Sequence, residues 1–539
     1  MAEARLKHFG WGREGEGATA EELARTRARY AALFGVESFA ERHPPPLAAL
    51  TLPPVRLTPP ASIARFCVAE HYDRAAHTYG KSYPDTVKGL AGDYGAAPDL
   101  VAYPENEPEV ADLLAYAADR GAAVIPFGGG SSVVGGVTPE GLRERYPGVI
   151  ALDLGRLDRV LRVDPISRAA EIEAGIFGPA LEAALKPTGL TLRHFPQSFE
   201  YSTLGGWIAT RSGGHFATLF THIDEMVESL RLITPAGPIE TRRLPASGAG
   251  PQPDRLFIGS EGVLGVITRA FVRLHARPRF RAGGALLFPD FFAAARAVRA
   301  LLQAGLYPAN CRILDEREAA NAGAGDGKCA VMVLGFESAD HPVEAAMARA
   351  LECCAAEGGR PEAGGRPEAD SNPRAGAAER WRTAFIRMPY LREHTVGWGV
   401  IADTFETAIT WDRFETFHQA VMEATRAAIR EATGRPGQVT CRFTHAYPDG
   451  PAPYYSFHAL GEPDPARLLA QWAVIKQAAS EAILAAGGTI THHHAVGRDH
   501  RPWYDRERPA LFGAALQAVK QRLDPAGILN PGVLIDPIR

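Results

Sequence analysis

The chain is expected to fold as an α+β protein in two parts, an α/β unit that carries glycine-rich ligand loops and a separate antiparallel sheet backed by helices. Three observations lead there. Pro126–Val137 reads P-F-G-G-G-S-S-V-V-G-G-V, a short strand running into five glycines with Ser131 and Ser132 set between them. Two further stretches, Pro196–Gly214 and Gly259–Thr268, again mix glycines with hydroxyls beside apolar runs. After about Arg277 the pattern changes to strands alternating with helices, without such loops. At 539 residues the chain is too long for one core.

In chain order, Glu21–Leu33 has helical spacing, and Pro44–Pro60 is dense enough in proline to run extended over a surface. His71–Tyr94 is polar and aromatic and reads as a solvated arm. Leu100–Tyr103 is a short strand, Glu107–Arg120 a helix with Pro108 in its first turn, and Val124–Phe127 a second strand. This β-α-β pattern delivers the first glycine loop at a strand end, where open α/β sheets bind ligands. Val149–Leu154, Val160–Val163 and Ala169–Ala174 are strands, with Asp164–Arg168 turning a hairpin, and Gly178–Leu185 is a short helix. Beyond Arg277, Ala285–Phe288, Ala330–Phe336, Gln438–Thr444 and Tyr454–Ala459 are strands; Phe291–Gly305, His341–Glu357 and Pro465–Ala485 are helices. Between them G-G-R-P-E-A occurs twice, at Gly358–Ala363 and Gly364–Ala369, and reads as a mobile polar loop without chemistry. A last helix is expected at Pro509–Arg522.

Composition excludes several classes. Hydrophobic residues at 46% and charged residues at 22% are ordinary globular values, and a net charge of −4 with no Lys/Arg stripe argues against nucleic acid. Six cysteines without C-x-x-C spacing give no disulfide framework and no structural metal. No apolar run reaches membrane-spanning length, the start lacks a signal-peptide core, and I-D-P-I-R is not a peroxisomal address, so a cytoplasmic protein is expected.

The first glycine loop is neither of the two familiar phosphate loops. No Lys follows its last glycine, and Val133–Val137 looks extended where a dinucleotide fingerprint would open a helix. Backbone N–H groups and the two serines make it a possible anion cradle, and a plain turn between strands remains the alternative. Together with P-Q-S-F-E-Y-S-T-L-G-G-W, G-S-E-G-V-L-G-V-I-T, T-H-H-H-A-V-G and L-D-P-A-G-I-L-N-P-G, it stands in an order that resembles the FAD-binding vanillyl-alcohol oxidase and p-cresol methylhydroxylase superfamily. Within it the sequence is most similar to the alkyldihydroxyacetonephosphate synthases, over nearly the whole chain.

The resemblance implies an FAD-binding domain of two subdomains plus the antiparallel cap. The boundaries expected are an N-terminal arm and linker at 1–89, the FAD-binding domain at 90–277, the cap at 278–500, and a segment at 501–539 returning to the FAD domain. It also implies non-covalent FAD. The phosphates would lie on Pro126, Gly128, Gly129, Gly130, Ser131, Ser132 and Val133. The flavin would be lined by Pro196, Ser198, Ser202, Thr203, Gly205, Gly206, Trp207, Thr210 and Ser212. Glu261, Gly262, Gly265, Val266 and Ile267 would sit near the adenosine end. On this reading backbone donors and hydroxyls, rather than Lys or Arg, wrap the phosphates. Some relatives attach FAD through a histidine in the first loop, but Gly130, Ser131 and Ser132 stand there, and His215 in R-S-G-G-H is read as a surface loop residue.

Candidate chemistry lies in the cap. His492, His493 and His494 admit three readings: a metal site, surface histidines, or an active-site wall. An extended chain alternates its faces, so at most two of them would share a metal, and no metal is assigned. The resemblance favours the wall, and places Arg442 and Tyr454 against the flavin, with Arg312 as a further anion holder. Their alternatives are a salt-bridged strand Arg, a core Tyr and an exposed Arg. The implied activity is exchange of an acyl for an alkyl group on dihydroxyacetone phosphate through a flavin N5 adduct, a step of ether lipid biosynthesis, with a small or lipid-like substrate and a homodimer expected. The chain departs from the synthases where Glu316–Lys328, short and polar, replaces a longer apolar stretch. An FAD-dependent dehydrogenase or oxidase of a 2-hydroxy acid (D-lactate, glycolate or D-2-hydroxyglutarate) is the second reading, and a non-catalytic flavin carrier the third.

Overall fold

The computed structural model describes residues 5–220, 222–362 and 377–537. A four-stranded sheet orders Cys67–Val68, Leu100–Ala102, Val149–Asp153 and Ala123–Phe127. Its last three strands are parallel, with Val149–Asp153 seated between the two that helix Glu107–Arg120 connects. That helix begins where the Asn106 side chain accepts from Glu109 N at 3.0 Å and ends at Gly121, whose φ of 62° is left-handed. Val110, Leu113, Leu114 and Ala117 on one face pack into the sheet's core.

The second sheet is wholly antiparallel and runs Val160–Asp164, Ala169–Glu173, Val266–Arg273, Val227–Thr234, Gly237–Glu240. Its hairpin turn is held by Asp164 Oδ1, which accepts from Ile166 N at 3.1 Å and Ser167 N at 3.0 Å. The cap is a seven-stranded antiparallel sheet ordered Arg360–Pro361, Phe280–Phe288, Ala330–Ser338, Asn310–Leu314, Gln438–Ala446, Pro451–Leu460, Val400–Glu406. Helices Phe291–Gln303, Glu344–Ala356, Phe414–Thr433 and Pro465–Ala485 contribute to its core. Among the described residues no helix is long and apolar enough to cross a membrane.

Four sequence expectations need correction. His71–Tyr94 is no solvated arm: it forms helices His71–Ala76 and Tyr83–Ala91, and Arg74, His77, Tyr83 and Tyr94 are buried. Its polar groups tolerate burial because they find partners, as when Arg74 donates to Pro98 O at 2.7 Å and Pro53 O at 2.6 Å. Val133–Val137 turns instead of running extended, since Ser132 Oγ accepts from Gly136 N at 2.9 Å. Arg360–Pro361 of the duplicated segment pairs with Leu286 and Leu287 as an edge strand, while 363–376, which hold the rest, lie outside the described residues. Strands Asn310–Leu314 and Val400–Glu406 and helix Phe414–Thr433 were not anticipated, although they complete the cap sheet.

The chain's end closes the first sheet. Ala123–Phe127 is the sheet's last strand, and its free edge takes a hydrogen bond from Val124 N to Ile528 O at 2.8 Å and one from Asn530 N to Val124 O at 2.9 Å. Helix Ala510–Leu523 leads into this contact through Lys520, whose buried ammonium donates to Val263 O, Leu529 O and Asp524 Oδ2 at 2.8, 2.8 and 2.6 Å. Removing one partner of such a pair strands the other, so Lys520→Met is expected to cost about 3 kcal/mol. The measurement is a shift of the urea midpoint relative to the parent protein; an unchanged midpoint would contradict the assignment.

Candidate functional site

One cleft, between the two glycine-bearing sheets and the cap, collects most of the residues singled out from the sequence. Its floor is the first glycine loop laid against the second. A Cβ on Gly129 would lie 1.9 Å from the main-chain oxygen of Tyr201, and one on Gly128 would lie 2.4 Å from Thr203 Oγ1. Only bare backbone fits, and this leaves Ser131 and Ser132 on the wall, the donor set an anionic cofactor tail requires. The second loop is braced from beneath: Trp207 Nε1 donates to Ser202 Oγ at 2.7 Å, and Ser198 Oγ donates to Ser202 Oγ at 3.1 Å. Ser212 Oγ is fixed by His194 Nε2 at 2.8 Å.

Of the residues expected to bind the cofactor, only Val266 lies off the wall, because strand alternation turns it into the core. Glu261 does border the cleft, but its carboxylate accepts from Val496 N at 2.9 Å and Gly497 N at 2.8 Å, tying the third glycine loop to the segment after the histidine triplet. Burial pushes its pKa up to about 7 against those two donors. The sequence reading left Lys81 in the solvated arm and gave it no place in the site. Its main-chain N donates to Ser132 O at 2.6 Å, its side chain borders the cleft, and burial pushes its ammonium down to about 8. Lys81 therefore adds a cation to a wall expected to have none, and nothing in the spacing of T-Y-G-K-S-Y marked it.

At the cap end stand Arg312, Tyr454, His493, His494 and His445. Arg312 and Arg442 exchange the standing their motifs suggested. Arg442 is 1% exposed, pairs with Glu318 at 2.5 Å, lies 4.1 Å from the Tyr454 ring centroid, and does not border the cleft. Arg312 does border it, over the rings of Trp381 and Phe385, and its Nε and Nη1 are buried with no hydrogen-bond partner among the described residues. Burial, then the neighbouring Arg442 charge, pushes Arg312 down to about 9. A cation held this way lacks an anion.

Tyr454 Oη donates to Thr404 Oγ1 at 3.0 Å, and burial raises its pKa, so it holds its proton. His493 and His494 are on the wall, whereas His492 lies behind them, its Nδ1 3.0 Å from His493 Nδ1. The triplet is a loop rather than an extended strand, wrapped on the buried carboxylate of Glu406. Glu406 accepts from His492 N at 2.5 Å, His493 N at 3.1 Å, His494 N at 2.9 Å and the Thr491 hydroxyl at 2.6 Å. Burial alone would raise its pKa, but the charge that the three histidines take on once protonated, together with the Thr491 hydroxyl, outweighs burial and holds it well below the usual carboxylate range. Burial keeps His492, His493 and His494 neutral by lowering each of them. His445 brings a ring nitrogen to within 4.8 Å of those of His492 and His493, but its Nε2 donates to Gly214 O at 3.0 Å. His215, expected on the surface, stacks on Trp381 and bonds Asn310 Nδ2 at 3.1 Å inside the cleft.

Residues 98–242 match the model of an FAD binding domain, and 277–534 that of the C-terminal domain of FAD linked oxidases. Alkyldihydroxyacetonephosphate synthase of Dictyostelium discoideum is 30% identical over 86% of this chain and 78% of its own length. The chain belongs to the alkyldihydroxyacetonephosphate synthase family. The synthase of Trypanosoma brucei brucei matches at the same 30% identity, over 86% of this chain and 77% of its own. The glycolate oxidase subunit GlcD of Bacillus subtilis (strain 168) is 26% identical over 81% of this chain and 89% of that protein. A solved alkyldihydroxyacetonephosphate synthase superposes with a TM-score of 0.79 over 98% of both chains at 24% identity, and p-cresol methylhydroxylase with 0.67 over 96% of this chain and 98% of that one at 14%. As a member of this family the chain is an FAD-dependent flavoenzyme, with the FAD-binding domain and antiparallel cap expected from its sequence. The glycine cradle fits that cofactor, and no histidine or cysteine stands in it for covalent attachment.

Lys81 gives FAD affinity a pH dependence with a definite sign. A pyrophosphate favours the charged ammonium, so affinity is full below about pH 8 and falls as pH rises through the pKa of the free protein. Titration of apoprotein with FAD is expected to show this decline in the parent and to lose it in Lys81→Met; parallel profiles would refute the role.

Proposed function

We propose that this flavoenzyme exchanges the acyl group of an acylated dihydroxyacetone phosphate for a fatty alcohol, forming an ether-linked product. The observation that carries this reading is Arg312, a buried guanidinium that borders the same cleft as Tyr454, His493 and His494 and whose Nε and Nη1 have no hydrogen-bond partner among the described residues. A phosphate dianion supplies the charge and the acceptors that this end of the cleft lacks, and Arg312 grips it in place of the role first given to Arg442. Arg442, neutralised by Glu318 and stacked on Tyr454, instead fixes the Tyr454 ring.

The bound flavin supplies the nucleophilic ring nitrogen at which one chain is exchanged for the other. Arg312 orients the phosphate. Tyr454, protonated throughout the ordinary pH range, donates a hydrogen bond to the departing carboxylate, which leaves as the anion, and neutral His493 accepts the proton of the incoming alcohol. Phe385 and Met388 line the cleft and Ile386 beside them is exposed, which gives an alkyl chain an apolar way out even though Glu316–Lys328 is short and polar. The homodimer expected from the sequence belongs to the same proposal, and light scattering of the purified protein checks it.

Arg312→Met is expected to raise KM for the acylated substrate about a hundredfold, in line with the 2–5 kcal/mol of a truncated buried ion pair, with FAD absorbance unchanged. Release of fatty acid by the FAD-loaded parent is the primary test. No release, together with anaerobic bleaching of the flavin by D-lactate, glycolate or D-2-hydroxyglutarate, would replace this reading with that of a 2-hydroxy-acid oxidase.

A further inference from the structure

We infer that His493, His492, Tyr447 and His222 form a proton relay that carries a proton from the cleft wall to a partly exposed ring outside it. His493 is on the wall, with Nδ1 directed at His492 Nδ1, 3.0 Å away. His492 does not border the cleft, and its other nitrogen, Nε2, lies 2.8 Å from the Tyr447 hydroxyl. That hydroxyl is in turn hydrogen-bonded to His222 Nε2. His222 is off the cleft wall and partly exposed. Four groups from three separate stretches of chain thus make an unbroken series of hydrogen bonds, and among the described residues His493 Nε2 has no partner at all, which leaves it to a substrate.

The carboxylate of Glu406 orders the protons along this series. Between two facing Nδ1 atoms one carries hydrogen and the other a lone pair. Glu406 decides which, because its Oε2 lies 3.4 Å from His493 Nδ1 and favours the proton there. His493 is therefore the Nδ1–H form with a basic Nε2 toward the cleft. His492 accepts at Nδ1 and donates from Nε2 to Tyr447, and Tyr447 donates to His222 Nε2. His445 takes no part: its Nε2 donates to a carbonyl and its Nδ1 faces the Thr444 hydroxyl at 3.0 Å.

Transfer then balances. The O–H bond of the incoming alcohol breaks and an N–H bond forms at His493 Nε2. His493 gives its Nδ1 proton to His492 Nδ1, His492 gives its Nε2 proton to the Tyr447 oxygen, and the Tyr447 hydroxyl proton passes to His222 Nε2. One proton crosses, no electrons move, and no imidazolium need persist in the buried cluster, where desolvation makes it costly. Burial lowers the pKa of His222, and the Asp224 carboxylate partly offsets that burial, so the proton rests there only in passing before it leaves the ring.

The inference rests on the proposed exchange only for the source of the proton, and two measurements on the FAD-loaded, full-length protein separate the two claims. Tyr447→Phe removes one hydroxyl; turnover is expected to fall about tenfold or more with KM and the flavin spectrum unchanged, and added imidazole to restore it. Undiminished turnover, or a loss that imidazole does not repair, overturns the relay. Should Tyr447→Phe fail to hold FAD, His222→Gln at the exposed end serves the same comparison. Independently of any substrate, 15N spectra of histidine-labelled protein are expected to show His493 as the Nδ1–H and His492 as the Nε2–H tautomer. The reverse assignment, or a resting imidazolium at either ring, overturns the relay, whereas a parent protein inert toward acylated dihydroxyacetone phosphate counts against the exchange alone.

Discussion

One buried carboxylate organises the cap end of the cleft. Glu406 is 1% exposed, and a lone charge at that depth would be prohibitively costly without compensation. The compensation comes from the main-chain N–H groups of three consecutive histidines and a threonine hydroxyl, so the same interaction that makes the charge tolerable also dictates the path of the loop. Glu406 closes the strand Val400–Glu406 and lies opposite Tyr454 in the sheet register. The proton-handling groups are thereby referred to one rigid sheet, the placement that catalytic geometry demands of a scaffold.

A second balance governs the anion-binding ends. Two of the cleft's cations, Lys81 at the glycine loops and Arg312 in the cap, are held where burial works against their charge, and each therefore gains from an anion more than an exposed cation would. Arg442 shows the contrasting solution, a guanidinium neutralised by Glu318 and used as a strut. The two arginines differ in one neighbouring carboxylate, which Arg442 has in Glu318 and Arg312 lacks among the described residues.

This distinction explains what the sequence could reveal. Glycine loops are legible because backbone contact is a property of the residues themselves: Gly128 and Gly129 admit no side chain, and their string announces it. The helix Glu107–Arg120 and the strands around it carry their own caps and periodicity, and were likewise readable. Glu406 was not, since 85 residues separate it from Thr491 and no local pattern joins F-E-T to T-H-H-H. Arg312 and Arg442 stand on neighbouring strands with equivalent alternation, and only the packing of helix Glu316–Asn321, which brings Glu318 to one of them, tells them apart. His71–Tyr94 misled for a related reason: its polar side chains looked solvent-bound because their buried main-chain partners, Pro53 and Pro98, are remote in sequence.

The contact between Val124 and the Ile528–Asn530 segment couples distant parts of the chain. The strand that ends in the phosphate cradle has its outer edge covered by nearly the last residues of the chain, and Asn530 Nδ2 also bonds the main-chain oxygens of Gly136 and Glu261 in two of the glycine loops. The strand therefore stays an open edge until a segment far downstream in the sequence has docked on it. One asparagine thus ties that edge to two glycine loops at once, so a change at Asn530, distant as it is from the cap, would loosen both loops together.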